Sequence, residues 1–224
     1  LELLRTFRPS WVKFTPEEAD LIIIDNGSTD ESVAFVREHY PEVRLVEFTE
    51  NYGFAAGYNK AIAELDYETV VLLNSDVELS EGWLREPLQL LASDPSITAV
   101  QPTIRAQRSP QDFEYAGAAG GYIDTLGYPF CRGRILSVVE QDQGQYSSPA
   151  DLFWASGACL IIRRAAYLEA GGLDPIFFAH QEEIDLCWRI LARGGRIVYA
   201  PSSVVYHVGG ASLSAESPRK VFLN

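Results

Sequence analysis

The stretch that most constrains the fold of this chain is residues 69–79, Thr-Val-Val-Leu-Leu-Asn-Ser-Asp-Val-Glu-Leu. A short apolar run that ends at a polar turn is typical of a strand buried on both faces of a sheet. The turn, Asn74-Ser75-Asp76, then lies at the carboxyl end of the strand, where open α/β sheets bind ligands. Its carboxylate suits a hard divalent cation. Taken alone, however, Asp76 is better explained as a residue that caps the turn.

The same order of strand, polar turn and helix occurs earlier in the chain. An apolar run over residues 19–25 ends at Asp25, and Ser28 and Glu31 match a capping box that predicts a helix from about residue 29. A third strand over 43–48 precedes a helix expected to begin near Gly53. This alternation predicts a Rossmann-like, mostly parallel central sheet with helices on both faces. The Gly-x-Gly-x-x-Gly fingerprint is absent, which disfavours a dinucleotide site.

Residues 104–150 have a different character. They are rich in Gly, Tyr, Arg and Gln and show little periodicity, so the segment is expected to be irregular. The glycines of 116–121 would allow the backbone to approach a ligand closely. Two interpretations remain open, a long surface insertion and a binding loop or lid that is mobile without ligand.

Composition limits the classes of partner. The chain has 224 residues, a formal net charge of −13 and a pI near 4.6, which argues against nucleic acid and anionic membrane surfaces as partners. Its three cysteines are far apart and have no metal-binding spacing, which favours a reducing compartment. No apolar run approaches the roughly 20 residues of a membrane span. Because the chain contains no Met, we expect that it lacks at least its natural beginning.

Two further features carry ionisable groups. Glu182 and Glu183 open a helix whose expected buried face holds Ile184, Cys187, Trp188 and Leu191, and His207 ends a late strand. Acidic residues favour helix N-termini through the helix dipole, which would also keep Glu183 ionised. Taken singly, Glu182 and Glu183 are better explained as acids that favour a helix N-terminus, and His207 is better explained as a half-buried histidine without a catalytic role.

In order along the chain, several motifs together resemble one family. They are Asp25-Asn26-Gly27-Ser28-Thr29-Asp30, Asn51-x-Gly53-Phe54-x-x-Gly57-x-Asn59, Asn74-Ser75-Asp76, Gly157-Ala158, Glu182-Glu183-x-Asp185 and His207-x-x-Gly210-x-Ser212. This set resembles the family 2 glycosyltransferases of the GT-A fold, and most closely their bacterial rhamnosyltransferase-like branch. The resemblance covers nearly the whole chain.

The resemblance implies a role for each matching residue. Glu183 would be the catalytic base, with Glu182 as its alternate. Asp76 and His207 would hold a divalent cation, Mg²⁺ or Mn²⁺, on the diphosphate of a nucleotide sugar. The residues that would contact or shape the nucleotide pocket are Asp25, Asn26, Asn51, Gly53, Asn59, Asn74 and Ser75.

The sequence also departs from the family pattern. The first strand of the fold and its opening turn are missing, and Asn74 replaces the first Asp of the Asp-x-Asp motif. Glu183 replaces an Asp, so its carboxylate reaches one methylene further. Residues 1–224 are expected to form a single GT-A domain truncated at both ends, with a nucleotide-binding half, 1–101, and an acceptor and catalytic half, 102–224.

The function expected from these residues is inverting transfer of a sugar from a nucleotide-diphosphate sugar to a hydroxyl of a glycan or lipid-linked acceptor. A cation would stabilise the leaving group and one carboxylate would take the acceptor proton. The setting would be bacterial cell-envelope polysaccharide synthesis in the cytoplasm, with peripheral association at the inner membrane face through the missing termini. Two alternatives stay open: a nucleotidyltransferase, and a non-catalytic module that binds sugar nucleotides or glycans.

Overall fold

The computed structural model describes residues 1–177 and 181–209. The helices are α1 (Glu2–Phe14), α2 (Ser32–His39), α3 (Gly53–Glu64), α4 (Arg85–Ser93), α5 (Arg164–Glu169) and α6 (Glu182–Ala192). The strands are β1 (Ile22–Asn26), β2 (Arg44–Phe48), β3 (Thr69–Leu73), β4 (Val77–Leu79), β5 (Ile97–Ala106), β6 (Ser109–Phe113), β7 (Gly121–Ile123), β8 (Pro129–Cys131), β9 (Arg134–Ile135), β10 (Val138–Val139), β11 (Ala150–Leu152), β12 (Cys159–Arg163) and β13 (Arg196–His207). Among the described residues, no helix is long and apolar enough to cross a bilayer.

The main sheet has the strand order β11-β13-β5-β12-β3, with β4 also paired to β13 and β6 to β5. Only β5 and β13 run parallel in it, and its other pairs are antiparallel. The prediction of a mostly parallel sheet is therefore wrong for these strands. The reason is that β12 enters between β3 and β5 in the opposite direction, and strands of the second half then add antiparallel neighbours.

The parallel pair of β1 and β2 forms a separate sheet. Among the described strands, β1 has no second neighbour and β3 pairs only with β12. Residues of β1 and β3 line a common cavity of about 850 Å³, to which Ile22, Ile24 and Val71 contribute apolar side chains. The two sheets are therefore separated by this cavity.

The same gap explains the burial of β3. Val70 and Leu72 are buried, whereas Thr69, Val71 and Leu73 are half-buried and line the cavity. The strand was predicted to be buried on both faces, and the structure shows burial that alternates along it.

The core lies on both faces of the main sheet. Successive residues of β12 belong to opposite clusters, with Leu160 and Ile162 on one face and Cys159 and Ile161 on the other. All three cysteines are buried and free, as expected for small core residues in a reduced protein.

Residues 104–150 are not irregular as predicted. β5 continues to Ala106, and the segment then forms β6 to β11, including the hairpins β7–β8 and β9–β10. Its glycines approach the protein's own side chains: a Cβ on Gly121 would lie 2.0 Å from Trp154 Cε2, and one on Gly117 would lie 2.5 Å from Ser156 Cβ. The short, glycine-interrupted strands hide the alternation by which strands are recognised in sequence.

The predictions for two helices also need correction. α2 begins at Ser32 without the expected capping box, and its first amide binds Asp30 Oδ1 at 2.9 Å. In α6 the buried face is Glu182, Leu186, Cys187 and Ile190, while Trp188 is 54% exposed and packs edge-on against Phe153.

Candidate functional site

The cavity between the two sheets is polar at the end where β1 and β3 finish. Six of the residues predicted for the nucleotide and metal sites line it, namely Asp25, Asn26, Asn51, Asn74, Ser75 and Asp76. The structure therefore brings together two loops that are about fifty residues apart in sequence, as the strand-end argument predicted.

Two of these residues also hold the loops in shape. Asp25 Oδ2 accepts a hydrogen bond from the Ser28 N–H at 3.1 Å, and Asn26 donates to the Gly53 carbonyl at 2.8 Å. Asn26 Oδ1 also accepts the Tyr52 N–H at 3.0 Å. Asn26 thus joins the end of β1 to the start of α3, which begins at Gly53 as predicted.

Asn59 has a different place from the one expected. Its side chain donates to the Leu173 carbonyl at 2.7 Å and accepts from the Tyr167 hydroxyl and the Leu173 N–H. These partners lie in α5 and in the segment that follows it. Asn59 therefore connects α3 to α5 and to that segment, and its predicted role in shaping the nucleotide pocket stays a prediction.

Asp76 and His207 are brought together by strand pairing. His207 is paired with Val77 in the β4–β13 ladder, so it lies beside the residue that follows Asp76. His207 Nε2 is 3.1 Å from Asp76 Oδ1, and both side chains are largely buried. The two predicted metal ligands are therefore neighbours although 131 positions separate them. Gly210 and Ser212, which completed this motif in the sequence, lie outside the described residues.

A third side chain, the carboxylate of Glu114, belongs to this cluster and was missed by the sequence analysis. Glu114, which follows β6, is 5% exposed, and its Oε1 lies 3.6 Å from His207 Nδ1. Burial alone would lower the pKa of His207, but the hydrogen bonds and charges of Asp76 and Glu114 raise that pKa to about 9. Glu114 lies inside the segment that looked irregular, so no periodic pattern pointed to it.

The chemistry of this cluster fits a divalent cation. Asp76 supplies a carboxylate that faces the cavity, and His207 supplies an imidazole whose Nδ1 has no hydrogen-bond partner at normal distance. Within residues 1–177 and 181–209, no three His, Cys, Asp or Glu side chains are arranged to hold a metal by themselves. A cation held here would therefore need further oxygen ligands, which phosphates commonly provide.

The N-terminus of α6 carries one buried and one half-buried carboxyl group, Glu182 and Glu183. Glu182 is 6% exposed, and one oxygen of each side chain is buried with no hydrogen-bond partner among the described residues. Glu183 packs against the backbone of Gly157, where an added Cβ would lie 3.7 Å from Glu183 Cβ. A buried carboxyl oxygen without a partner is costly, so this pair is suited to accept a hydrogen bond from a ligand.

Burial and charge repulsion set the protonation of this pair. Burial raises the pKa of Glu183, and the nearby charge of Glu182 raises it further, to about 7. Burial also raises the pKa of Glu182. The helix dipole favours the ionised form, but loss of hydration outweighs it and leaves Glu183 only partly ionised at neutral pH.

One turn connects the two groups of the site. The backbone N–H of Asn74 donates to the carbonyl of Ala158 at 3.0 Å, and Ala158 follows Gly157, against which Glu183 packs. The loop that carries Asp76 and the helix that carries Glu183 are thereby held against the same short turn before β12.

Known proteins share this sequence and architecture. The chain is 29% identical over 222 residues to the N-acetylglucosaminyl-diphospho-decaprenol L-rhamnosyltransferase of Mycobacterium tuberculosis, an alignment that covers 91% of this chain and 71% of the relative. It is 27% identical over 227 residues to the O-antigen biosynthesis protein RfbC of Myxococcus xanthus, covering 96% of this chain and 17% of the relative.

Two solved structures are also similar. GalNAc-T7 with UDP, GalNAc and Mn²⁺ matches with a TM-score of 0.70 at 18% identity, over 92% of this chain. The mannosyltransferase PcManGT from Pyrobaculum calidifontis, in complex with GDP-Man and Mn²⁺, matches with a TM-score of 0.65 at 18% identity, over 94% of this chain. This chain spans 41% and 54% of those two chains. These likenesses show that the fold is of the GT-A type.

The family model described as "Glycosyl transferase family 2" matches residues 2–170, about three quarters of the chain. Together with the cavity that collects the strand-end loops and with the Asp76–His207 pair, this match shows that the chain belongs to glycosyl transferase family 2.

Proposed function

We propose that this chain is an inverting, metal-dependent glycosyltransferase. It would move a sugar from a nucleotide-diphosphate sugar to a hydroxyl of a glycan or lipid-linked acceptor, in bacterial cell-envelope polysaccharide synthesis. The lipid-linked class is supported by the mycobacterial relative, whose name specifies a diphospho-decaprenol acceptor.

The observation that carries the proposal is Glu183. One of its oxygens is buried without a partner, and its pKa is raised to about 7. A carboxylate with this pKa is ionised in a useful fraction of molecules at neutral pH and is basic enough to take a proton from a hydroxyl. A single base that activates an acceptor for in-line attack gives inversion at the anomeric carbon. A mechanism with a covalent intermediate would instead need a second carboxylate that acts as the nucleophile. We do not propose that role for Glu182.

The diphosphate leaving group would be bound on the Asp76 side of the Asn74–Ala158 contact, opposite the side that carries Glu183. Asp25, Asn26 and Asn51 would line the nucleotide end of the cavity, and Asp76 and His207 would hold the cation. When bound, Mg²⁺ or Mn²⁺ would supply positive charge to the diphosphate as it departs. Because the chain is strongly acidic, that charge would also offset repulsion between the protein and the donor.

The two alternatives make different demands on the site. A binding module needs no base, so it gives no reason for a buried carboxyl pair whose pKa values are raised. A nucleotidyltransferase would release pyrophosphate, whereas glycosyl transfer releases a nucleoside diphosphate. Membership of the glycosyl transferase family favours the second product.

A donor screen tests the proposal. The protein would be heated with single nucleotide sugars, with and without Mn²⁺, because a ligand that binds the folded state raises the melting temperature. The donor that gives the largest metal-dependent shift would then be incubated with acceptor, and the products analysed. Release of a nucleoside diphosphate is expected. Release of pyrophosphate, or stable binding without any product, would contradict the assignment.

The wider setting follows from the same proposal. The chain would act as one GT-A domain in the cytoplasm, near the inner face of the membrane, where lipid-linked acceptors are accessible. Nucleic acid is not among its proposed partners, because of the net charge of −13.

A further inference from the structure

Two consecutive hairpins expose an unusual concentration of apolar side chains. Among the described residues eleven large hydrophobic side chains are exposed, and seven of them lie within residues 115–138. Five of the seven are at or near the hairpin turns and define what we call the hairpin patch: Leu126, Tyr128, Ile135, Leu136 and Val138, which are 66% to 84% exposed. Scattered apolar residues on a surface need no explanation, but such a concentration within one short segment of the chain points to an interaction site.

The backbone of the second hairpin is strained at one of these exposed residues. Leu136 lies in the two-residue turn between β9 and β10 and has a φ of +52°. This conformation disfavours any residue with a Cβ, and leucine has no polar side chain to compensate. The turn nevertheless holds Leu136 84% exposed, and an exposed, strained apolar residue points to a functional contact.

Charge distinguishes the patch from the rest of the protein. Residues 115–139 contain one acidic residue, Asp124, and two basic residues, Arg132 and Arg134, whereas the whole chain has a net charge of −13. The Asp124 carboxylate is occupied by the N–H groups of Leu126 and Tyr128, each at 2.8 Å. The segment that carries the patch is thus slightly basic in an acidic chain, so it does not add to the repulsion of anionic headgroups, and the patch places an exposed tyrosine, Tyr128, among aliphatic side chains.

The base of the hairpins is part of the candidate site. The Gly121 N–H donates to the Trp154 carbonyl at 3.0 Å, and the Gly117 carbonyl accepts from Gln101, which in turn accepts the Ser156 N–H. Ser156 precedes Gly157, against which Glu183 packs. The hairpins therefore connect the turn at Gly157 to the hairpin patch. A protein that works on a membrane-bound substrate needs such a connection between its site and the membrane.

From these observations we propose that the hairpin patch docks this domain on the surface of a phospholipid bilayer, with the hairpin turns inserted among the headgroups. The binding partner of the patch is the bilayer itself, and insertion of the apolar side chains provides the binding free energy. The proposed lipid-linked acceptor supplies a reason for such docking, but the docking does not depend on turnover.

Vesicle flotation tests the proposal on the full chain. The parent protein is expected to float with POPC vesicles, and the double variant Leu126→Ser/Leu136→Ser should lower the ratio of bound to free protein at least about ten-fold, since two exposed leucines lose their apolar burial. The matched control is Leu168→Ser/Ile176→Ser, which removes two exposed apolar residues outside the patch and should change the ratio less than about two-fold, because those residues would not be buried by docking. Replacing about a quarter of the lipid with anionic POPG should not strengthen binding, given the net charge.

A second measurement guards against misfolding of the variants. Leu126→Trp would add a tryptophan at the first turn, and brominated phosphatidylcholine should quench its emission more than that of the parent. A parent protein that stays with the soluble fraction at every lipid concentration would overturn the proposal, as would equal losses in the patch and control variants. Dimerisation that is lost in Leu126→Ser/Leu136→Ser without any vesicle binding would assign the patch to a second copy and overturn it too. Because flotation needs neither donor nor acceptor, its failure is separate from a failure of the glycosyltransferase assignment.

Discussion

Asn74 and Ala158 join the two halves of the candidate site through one backbone hydrogen bond of 3.0 Å. On one side of this contact, the loop after β3 carries Asp76 toward His207. On the other side, the turn before β12 presents Gly157 to Glu183. The contact follows from the antiparallel pairing of β3 with β12, in which Leu73 faces Cys159, so the sheet holds the proposed leaving-group and base sites on either side of this contact.

Glu183→Gln should reduce turnover by about 100-fold or more, the scale of general base catalysis, while donor binding changes little. The substitution keeps size and hydrogen-bonding capacity but removes the basic oxygen. Steady-state rates and donor thermal shifts would be measured together. Glu182→Gln is the matched control and should have a much smaller effect. The base assignment fails if both variants keep turnover within a few-fold of the parent.

The rate should depend on pH through the Glu182–Glu183 pair. With the pKa of Glu183 near 7, turnover should fall as the pH drops below that value, because the base becomes protonated. Glu182→Gln removes the repulsion that raises this pKa, so the acid limb should move to lower pH. The limb belongs to the coupled pair, and a pH–rate profile reports its macroscopic value. An acid limb that does not move in Glu182→Gln would show that repulsion from Glu182 does not raise the pKa of Glu183.

The same shift predicts how stability depends on pH. The pKa of Glu183 is raised on folding, from an ordinary value of 4.5 to about 7, so the folded state binds the proton more tightly than the unfolded state. The stabilisation from this proton is complete below the unfolded pKa and is lost as the pH rises through the folded one. Glu183→Gln should therefore flatten the loss of denaturation free energy across this window. Urea titrations at several pH values would measure it.

Metal dependence should be lost with Asp76. If Asp76 and His207 bind the cation, chelation should weaken nucleoside diphosphate binding in the parent protein and leave Asp76→Ala unchanged, because that variant no longer holds the metal. Calorimetric titrations with Mn²⁺ and with EDTA would compare the two. Equal affinities with and without chelator in the parent would remove the metal assignment.

Glu114 should position His207 for the cation without binding it. Its carboxylate faces Nδ1 while Asp76 faces Nε2, and such outer partners typically contribute about 10- to 100-fold in metal affinity. Glu114→Ala should weaken Mn²⁺ binding on this scale, and Glu114→Gln, which keeps an oxygen facing Nδ1, should weaken it less. Glu140→Gln, a change of the same type in the following hairpin, is the control. Indistinguishable Mn²⁺ affinities in Glu114→Ala and the parent would exclude this role.

Much of the site could be predicted because strand ends carry local signals. Asp25 and Asp76 each follow a short apolar run, and the structure places both at the end of one cavity. Glu114 could not be found in this way, because its partner His207 is brought to it by long-range strand pairing. The raised pKa of Glu183 could not be predicted for a related reason: the dipole is local in sequence, whereas the burial that outweighs it comes from distant segments such as Gly157.

The mixed strand directions of the main sheet also could not be predicted from the local sequence pattern. Strand, turn and helix alternate through residue 101, but β12 and β13 insert on either side of β5 from far along the chain. Periodicity identifies a strand and says little about its neighbours. The burial of Trp188 was mispredicted since a helical stripe gives the spacing of apolar residues and leaves the width of the buried face undetermined.

Gly121 offers a test of how the hairpins are anchored. Because a Cβ on Gly121 would lie 2.0 Å from Trp154 Cε2, Gly121→Ala must displace the indole, whose Nε1 donates to the Tyr122 carbonyl at 2.9 Å. Overpacking of this kind typically costs about 1–3 kcal/mol of stability, and urea denaturation would measure the loss. The control is a double-mutant cycle with Trp154→Leu, in which a smaller side chain leaves room for the added methyl. The cost of Gly121→Ala should be smaller in that background. An equal cost with and without the indole would show that Trp154 does not require glycine at position 121.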